Sequence, residues 1–128
     1  MIAQQQTTKA SRVFMLMPHD KNVSRARRFG ELEMIYDRNE SRPSIWDEAM
    51  YDEAVDRLGE LDYDASRDFI LIAGTMVPVV TFVARLVAEL GQVKTLCYDM
   101  VSGEYVEKKM GRNIADEQAT SRLVRHRS

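Results

Sequence analysis

One stretch, from Asp68 to Asp99 (DFILIAGTMVPVVTFVARLVAELGQVKTLCYD), constrains the fold more than any other part of the chain. It predicts a strand, a tight turn, a helix and a second strand at Gln92–Tyr98. Phe69–Ala73 is apolar without alternation, which is typical of a strand buried on both faces of a parallel sheet. The helix is predicted over Met76–Leu90, because Thr75 is a good N-cap residue and Gly91 stands where helices often end.

The predicted helix over Met76–Leu90 is apolar on nearly all sides. Its polar residues Thr81, Arg85 and Glu89 recur every four positions and therefore form one narrow stripe. A helix of this kind is covered by the rest of the protein or by a partner. A membrane span is the alternative, but it needs about 20 apolar residues. Arg85 ends the uncharged run after sixteen residues, so we expect a buried strand and helix.

The rest of the chain supplies three further strands and two further helices. The strands are predicted at Arg12–Met17, Glu31–Tyr36 and Glu104–Met110, and the helices at Val23–Phe29 and Ile45–Glu60. Alternating strands and helices predict a parallel sheet with right-handed crossovers, and a hairpin turn at 100–103 makes the last strand an antiparallel edge. We therefore predict an α/β fold with a small three-layer Rossmann-like sheet, strand order 2-1-3-4 and the fifth strand outside the fourth.

The helix at Ile45–Glu60 is predicted to be amphipathic. Its spacing places Trp46, Met50 and Ala54 on one buried face. The opposite side carries acidic residues: Asp47, Asp52, Glu53 and Asp56. We interpret that side as a solvated face, with an acidic docking surface as the alternative.

Length and composition indicate one domain of ordinary globular type. The chain has 128 residues, which we divide into a polar N-terminal tail 1–11, a domain 12–110 and a polar to basic C-terminal tail 111–128. The net charge of −2 argues against general nucleic-acid binding. Cys97 is the only cysteine and is interpreted as a small core residue of a protein from a reducing compartment. The N-terminus has no apolar core of a signal peptide, so we expect a cytoplasmic protein.

Polar residues follow the predicted strands at the edge where α/β sheets bind ligands. The candidate ligand-binding residues are His19, Asp20, Asp37, Arg38, Gly74, Thr75 and Asp99. The helix N-terminus after the Gly-Thr turn can hold an anion, but the turn matches neither a dinucleotide-binding loop nor a P-loop. We predict no catalytic residue, no cofactor and no metal site. A magnesium site built from the three aspartates is a weaker alternative.

Several segments together resemble a known group of proteins. They are D-F-I-L-I-A-G at Asp68–Gly74, V-K-T-L-C-Y-D at Val93–Asp99, a strand containing Tyr105, R-F-G-E-L at Arg28–Leu32 and an opening strand that ends at Pro18. This pattern looks like small phage-encoded Rossmann-like proteins of unknown function, over residues 12 to 110. The resemblance implies a phage or prophage accessory protein, located in the host cytoplasm or in the virion. It assigns no catalytic residues.

Two function classes remain open. The first is a non-enzymatic accessory or assembly protein that acts through contacts with another protein or with itself. The apolar helix and the two polar tails favour it, and we expect a homo-oligomer in which at least one tail crosses to a neighbour. The second is a nucleotide- or phosphate-binding protein, with or without enzymatic activity, that uses the polar strand ends. Its support is the fold class.

Overall fold

The computed structural model describes residues 10–18 and 23–112; both predicted tails lie largely outside these residues. The strands are β1 (Arg12–Met15), β2 (Glu31–Met34), β3 (Phe69–Leu71), β4 (Gln92–Asp99) and β5 (Glu104–Gly111). The helices are a 3-10 helix (Ser24–Phe29), α1 (Glu48–Glu60) and α2 (Met76–Leu90). The mixed α/β class is confirmed.

The five strands form a single sheet with the order β2-β1-β3-β4-β5. β1 pairs in parallel with both β2 and β3, and β3 pairs in parallel with β4. β5 runs antiparallel to β4 over the full length of both strands. The predicted strand order and the antiparallel edge are therefore both confirmed.

The two faces of the sheet are covered by different layers. Phe14 and Ile70 belong to the core on one face, which also contains the buried residues of α1 and α2. Val13 and Leu71 belong to the core on the other face, which contains Ala26 of the 3-10 helix. Both α-helices therefore lie on the same side of the sheet, and among the described residues only a short 3-10 helix covers the opposite side.

β1, β2 and β3 are shorter than the sequence predicted. β1 ends at Met15 instead of Met17, β2 at Met34 instead of Tyr36, and β3 at Leu71 instead of Ala73. Single backbone hydrogen bonds continue past these ends, as from Tyr36 N to Leu16 O at 3.0 Å. Tyr36 is fully buried. The apolar runs therefore predicted burial correctly and overestimated the length of the ladder.

The placement of Trp46 on the buried face of α1 is wrong. The helix begins only at Glu48, because the carboxylate of Asp47 caps it by accepting a hydrogen bond from Ala49 N at 2.9 Å. The hydroxyl of Ser44 accepts a hydrogen bond from Trp46 N at 3.1 Å and holds this residue in the preceding turn. The Trp46 side chain is 75% exposed. Met50 and Ala54 are buried as predicted.

The acidic side of α1 is only partly a free solvated face. Asp52 forms an ion pair with Arg85 of α2 at 2.6 Å. Glu53 forms an ion pair with Arg57, one turn further along α1, at 3.0 Å. The polar stripe of α2 thus contacts α1, which fixes the rotation of α2 about its own axis.

Asp68 is a fully buried carboxylate at the start of β3. It accepts hydrogen bonds from Arg67 Nε at 2.9 Å, from Arg12 N at 3.0 Å and from Asp64 N at 2.9 Å. Burial alone would raise the pKa of Asp68, but the hydrogen bonds from Arg67 and from the backbone outweigh it and hold the pKa below its ordinary value. The charged form of Asp68 is therefore part of the folded state.

Leu71→Asp should prevent folding, because Leu71 is 1% exposed and lies beside Leu96 in the sheet. An unpaired carboxylate at this position costs more than about 4 kcal/mol. Circular dichroism and thermal unfolding measure the effect, and Val101→Asp, at a side chain that is 97% exposed, serves as the control. A folded Leu71→Asp variant with the wild-type melting temperature would refute the buried parallel sheet.

Asp68→Asn should lower the free energy of unfolding at pH 7 by about 2 kcal/mol or more, since hydrogen bonds to a charged group are lost. The lowered pKa of Asp68 stabilises the wild type above the ordinary aspartate range, and this contribution disappears as the pH falls below about 4. The variant should therefore show a flatter acid dependence in urea unfolding between pH 7 and pH 2.5. Asp56→Asn, on the exposed side of α1, should keep the wild-type profile. Identical profiles for wild type and Asp68→Asn would contradict this role.

Candidate functional site

The carboxyl ends of the parallel strands lie at one edge of the sheet, where the sequence predicted a ligand site. Asp37 and Arg38 follow β2 and line an open cleft of about 550 Å³ together with Pro18 and Met34. Arg27 of the 3-10 helix lines the same cleft. The cleft therefore combines two carboxylates, those of Asp37 and Glu33, with two guanidinium groups. Glu33 is half-buried and the other three groups are exposed.

The turn that carries Asp37 is held by Arg57 of α1. The carboxylate of Glu40 accepts a hydrogen bond from Asp37 N at 2.9 Å and pairs with the guanidinium of Arg57. Arg57 also donates a hydrogen bond to Ile35 O at 2.9 Å. The hydrogen bond from Arg57, with that from the backbone of Asp37, lowers the pKa of Glu40 to about 2. These charged groups hold the turn in place, so the wall of the cleft that the turn forms is also fixed.

Tyr36 also supports this turn, from its buried side. Its hydroxyl donates a hydrogen bond to Met50 O at 2.7 Å, and the guanidinium of Arg57 lies 4.5 Å from the centre of its ring. Burial, together with the negative charge of Glu53, raises the pKa of Tyr36 to about 12. The hydroxyl is therefore protonated and fully used as a structural donor at neutral pH.

Gly74 and Thr75 form the turn from β3 into α2. Gly74 has φ of 101°, a conformation that favours glycine, and Thr75 is the N-cap residue of α2. Both residues are exposed, and they are not among the residues that line the cleft at Asp37. The first amide groups of α2 point toward this turn, which is the arrangement the anion-binding prediction requires.

The carboxylate of Asp99 forms hydrogen bonds within its own hairpin turn. Its carboxylate accepts hydrogen bonds from Val101 N and from the Ser102 hydroxyl, both at 3.0 Å. These two bonds hold the pKa of Asp99 below its ordinary value. Asp99 therefore organises the turn between β4 and β5 and has fewer free lone pairs for a ligand.

Five of the seven predicted site residues lie in the described part of the chain, and of these Asp37 and Arg38 line the cleft. The structure brings Asp37 and Arg38 together, places Gly74 and Thr75 after another strand, and assigns Asp99 to a turn. His19 and Asp20 lie outside the described residues. Within residues 10–18 and 23–112, no three His, Cys, Asp or Glu side chains are grouped as a metal ion would need.

The same edge of the sheet displays large apolar side chains whose exposure the sequence did not predict. Trp46 and Met76 are each 75% exposed, Met100 is 86% exposed and Val101 is 97% exposed. We call these four residues the apolar edge; they precede α1, open α2 and form the turn between β4 and β5. The available signal was the Met100–Val101 pair in a tight turn, where polar residues are the rule.

The outward side of α2 is also apolar. Val77, Val80, Ala84 and Ala88 are all exposed and recur every three or four residues, which places them on one side of the helix. We call this row the α2 stripe. The buried residues Val79, Phe82, Val83 and Leu86 form the opposite side, and the last three belong to the core between the helices and the sheet. In the described part of the chain, no helix is long and apolar enough to cross a membrane.

Comparison of the chain with known protein families gives a match. A family model described as Phage Pam3 gp32-like protein matches residues 2–111, which is most of the chain. No curated protein and no solved structure matches the chain. The match includes all five strands and both α-helices.

The predicted anion site at the Gly-Thr turn can be tested by thermal shift with phosphate and a panel of nucleotides. If the turn binds a phosphate group, ligand should raise the wild-type melting temperature, and Gly74→Val should abolish the shift because its side chain blocks approach to the amides. Gly103→Val is the matched control: its φ of 74° imposes similar strain in the turn between β4 and β5. A flat wild-type response across the panel would contradict the prediction.

Proposed function

The chain belongs to the Phage Pam3 gp32-like protein family, and we propose that it is a phage accessory or assembly protein that acts by binding another protein. The observation that carries the proposal is the α2 stripe, an apolar row along the outside of the longest helix in the described residues. A surface helix of a protein that acts alone normally turns charged residues to water. In this helix Arg85 contacts Asp52 of α1, Glu89 pairs with Arg85, and the small apolar residues face outward.

The composition of the apolar edge supports the same proposal. Tryptophan and methionine are enriched at the centres of protein interfaces, and exposed apolar patches mark such surfaces. Met76 is the first residue of α2 and is followed by Val77, so the apolar edge joins the α2 stripe in sequence at this point. Trp46, the other large residue of the apolar edge, precedes α1. A partner that covers both surfaces would remove several large side chains from water, at about 25 cal/mol for each Å² of apolar area.

The Rossmann-like three-layer class and the location belong to the same proposal. Three features support the three-layer description: β1 has a strand on either side, two α-helices lie on one face of the sheet, and the 3-10 helix lies on the other. The family and the resemblance of the sequence support a place of action in the host cytoplasm or in the virion. A binding protein of this type needs no reaction centre, because its activity is the contact itself.

A surface variant tests this function. Val80→Lys/Ala84→Lys adds two positive charges to the α2 stripe, where both side chains are exposed, so the melting temperature should change little. Immobilised full-length wild type should retain a phage-encoded protein from an infected-cell lysate or from disrupted virions, identified by mass spectrometry. The double variant should lose at least about 90% of that protein, since two desolvated charges cost several kcal/mol.

Asp56→Lys is the matched control for that experiment. It produces the same change of net charge on the exposed side of α1 and should retain the phage protein at the wild-type level. If the double variant and the wild type retain the same proteins in the same amounts, the α2 stripe is not a binding surface and the proposal fails.

A further inference from the structure

The outer side of β5 is a row of open backbone groups at the edge of the sheet. β5 is the last strand in the sheet order, and within residues 10–18 and 23–112 no strand pairs with its outer side. The strand is fixed at its start, because Arg25 of the 3-10 helix forms an ion pair with Glu104 at 3.0 Å and donates a hydrogen bond to Gly103 O. An open edge of this kind is a template for another strand.

The register of β4 and β5 decides which backbone groups face outward. Arg112 N donates a hydrogen bond to Gly91 O at 2.9 Å, and such pairs recur at every second residue of an antiparallel ladder. Lys108 O accordingly faces β4, where it accepts a hydrogen bond from the Thr95 hydroxyl at 2.6 Å. The groups that face outward therefore belong to Tyr105, Glu107, Lys109 and Gly111.

We propose that β5 pairs antiparallel with β5 of a second copy of this chain, so that two five-stranded sheets become one continuous sheet. The proposal goes beyond the proposed function, since it uses a different surface and leaves the α2 stripe free. A two-fold axis perpendicular to the sheet places residues of the same face opposite each other. Two registers then overlap most of β5: one has Lys108 on the axis, and the other has Glu107 on the axis.

Charge selects between these registers. With Lys108 on the axis, Glu107 lies opposite Lys109 of the partner subunit, and the symmetry repeats this pair on the other side. Val106, which is 48% exposed, then lies opposite Met110. With Glu107 on the axis, two carboxylates face each other and Lys108 lies opposite Val106. Opposite charges on facing residues stabilise a strand pair and like charges destabilise it, so the Lys108-centred register is favoured.

Lysines on an edge strand often prevent pairing, and this strand has two of them. The two lysines differ in the residue of the second copy that each would lie opposite. Lys109 gains a carboxylate in the favoured register, whereas the two copies of Lys108 repel each other on the opposite face of the sheet. The dimer is therefore expected to be of moderate affinity, and Lys108 is the position at which it can be strengthened.

Disulfide trapping tests the register directly. In the favoured register the two Lys108 residues form a non-hydrogen-bonded pair with Cα atoms about 4.5 Å apart, within the range that a disulfide spans. Lys108→Cys in a Cys97→Ala background should form a covalent dimer under mild oxidation. Glu107→Cys in the same background is the control and should stay monomeric, because it lies opposite Lys109. Dimers from Glu107→Cys and not from Lys108→Cys would overturn the register.

Charge reversal tests the interaction in solution. By sedimentation of the full-length chain, Glu107→Lys and Lys109→Glu should each raise the dimer Kd by about tenfold or more, and the double reversal should restore it. Lys108→Thr should lower the Kd. For Glu107→Lys and Lys108→Thr, net charge alone would change the Kd in the opposite direction, since Glu107→Lys moves the chain from −2 toward zero and Lys108→Thr moves it away.

Two results would overturn the proposal. One is a chain that stays monomeric at all concentrations and gives no Lys108→Cys dimer above the Glu107→Cys control. The other is a monomer whose Glu107 and Lys109 amides resist hydrogen exchange, since another segment of the same chain would then cover the edge. Both measurements use the purified chain, so they fail or succeed independently of the capture experiment on the α2 stripe.

Discussion

The buried carboxylate of Asp68 is the interaction on which the sheet depends. It joins the first residue of β1 to the start of β3, because its oxygens accept hydrogen bonds from Arg12 N and from the side chain of Arg67. A carboxylate without access to water is tolerated only when it is paired and hydrogen-bonded. Any shift of β1 along β3 would break the hydrogen bond from Arg12 N, which is the one that β1 supplies, so this contact favours one register.

That register decides which residues reach each face. Val13 lies beside Phe69 and Phe14 beside Ile70, and the two pairs point to opposite sides of the sheet. One side receives both α-helices, while among the described residues the other receives only the 3-10 helix. With α1 on one flank of α2 and the sheet beneath it, the outward side of α2 has no cover in the described residues. The apolar surface is thus uncovered because α2 belongs to an outer layer of the fold.

At the candidate ligand site, the polar residues that follow the strands mainly stabilise turns. Asp37 is held by Glu40, Glu40 is held by Arg57, and Asp99 is held by the amide and hydroxyl of its own turn. Most of the perturbed pKa values in this region arise from these structural hydrogen bonds. Polar residues at strand ends are therefore informative about turns here, and the exposed apolar residues beside them are the unusual feature.

The sequence by itself determined α2, which begins after Thr75 and ends before Gly91, and the alternation of strands and helices indicated a mostly parallel sheet. These features follow from local periodicity and from a glycine at the end of the helix. Only the tertiary structure decided that Trp46 is exposed, that β1, β2 and β3 stop early and that Asp99 serves a turn. Whether an apolar side chain is covered depends on which distant elements pack beside it, and no local pattern carries that information.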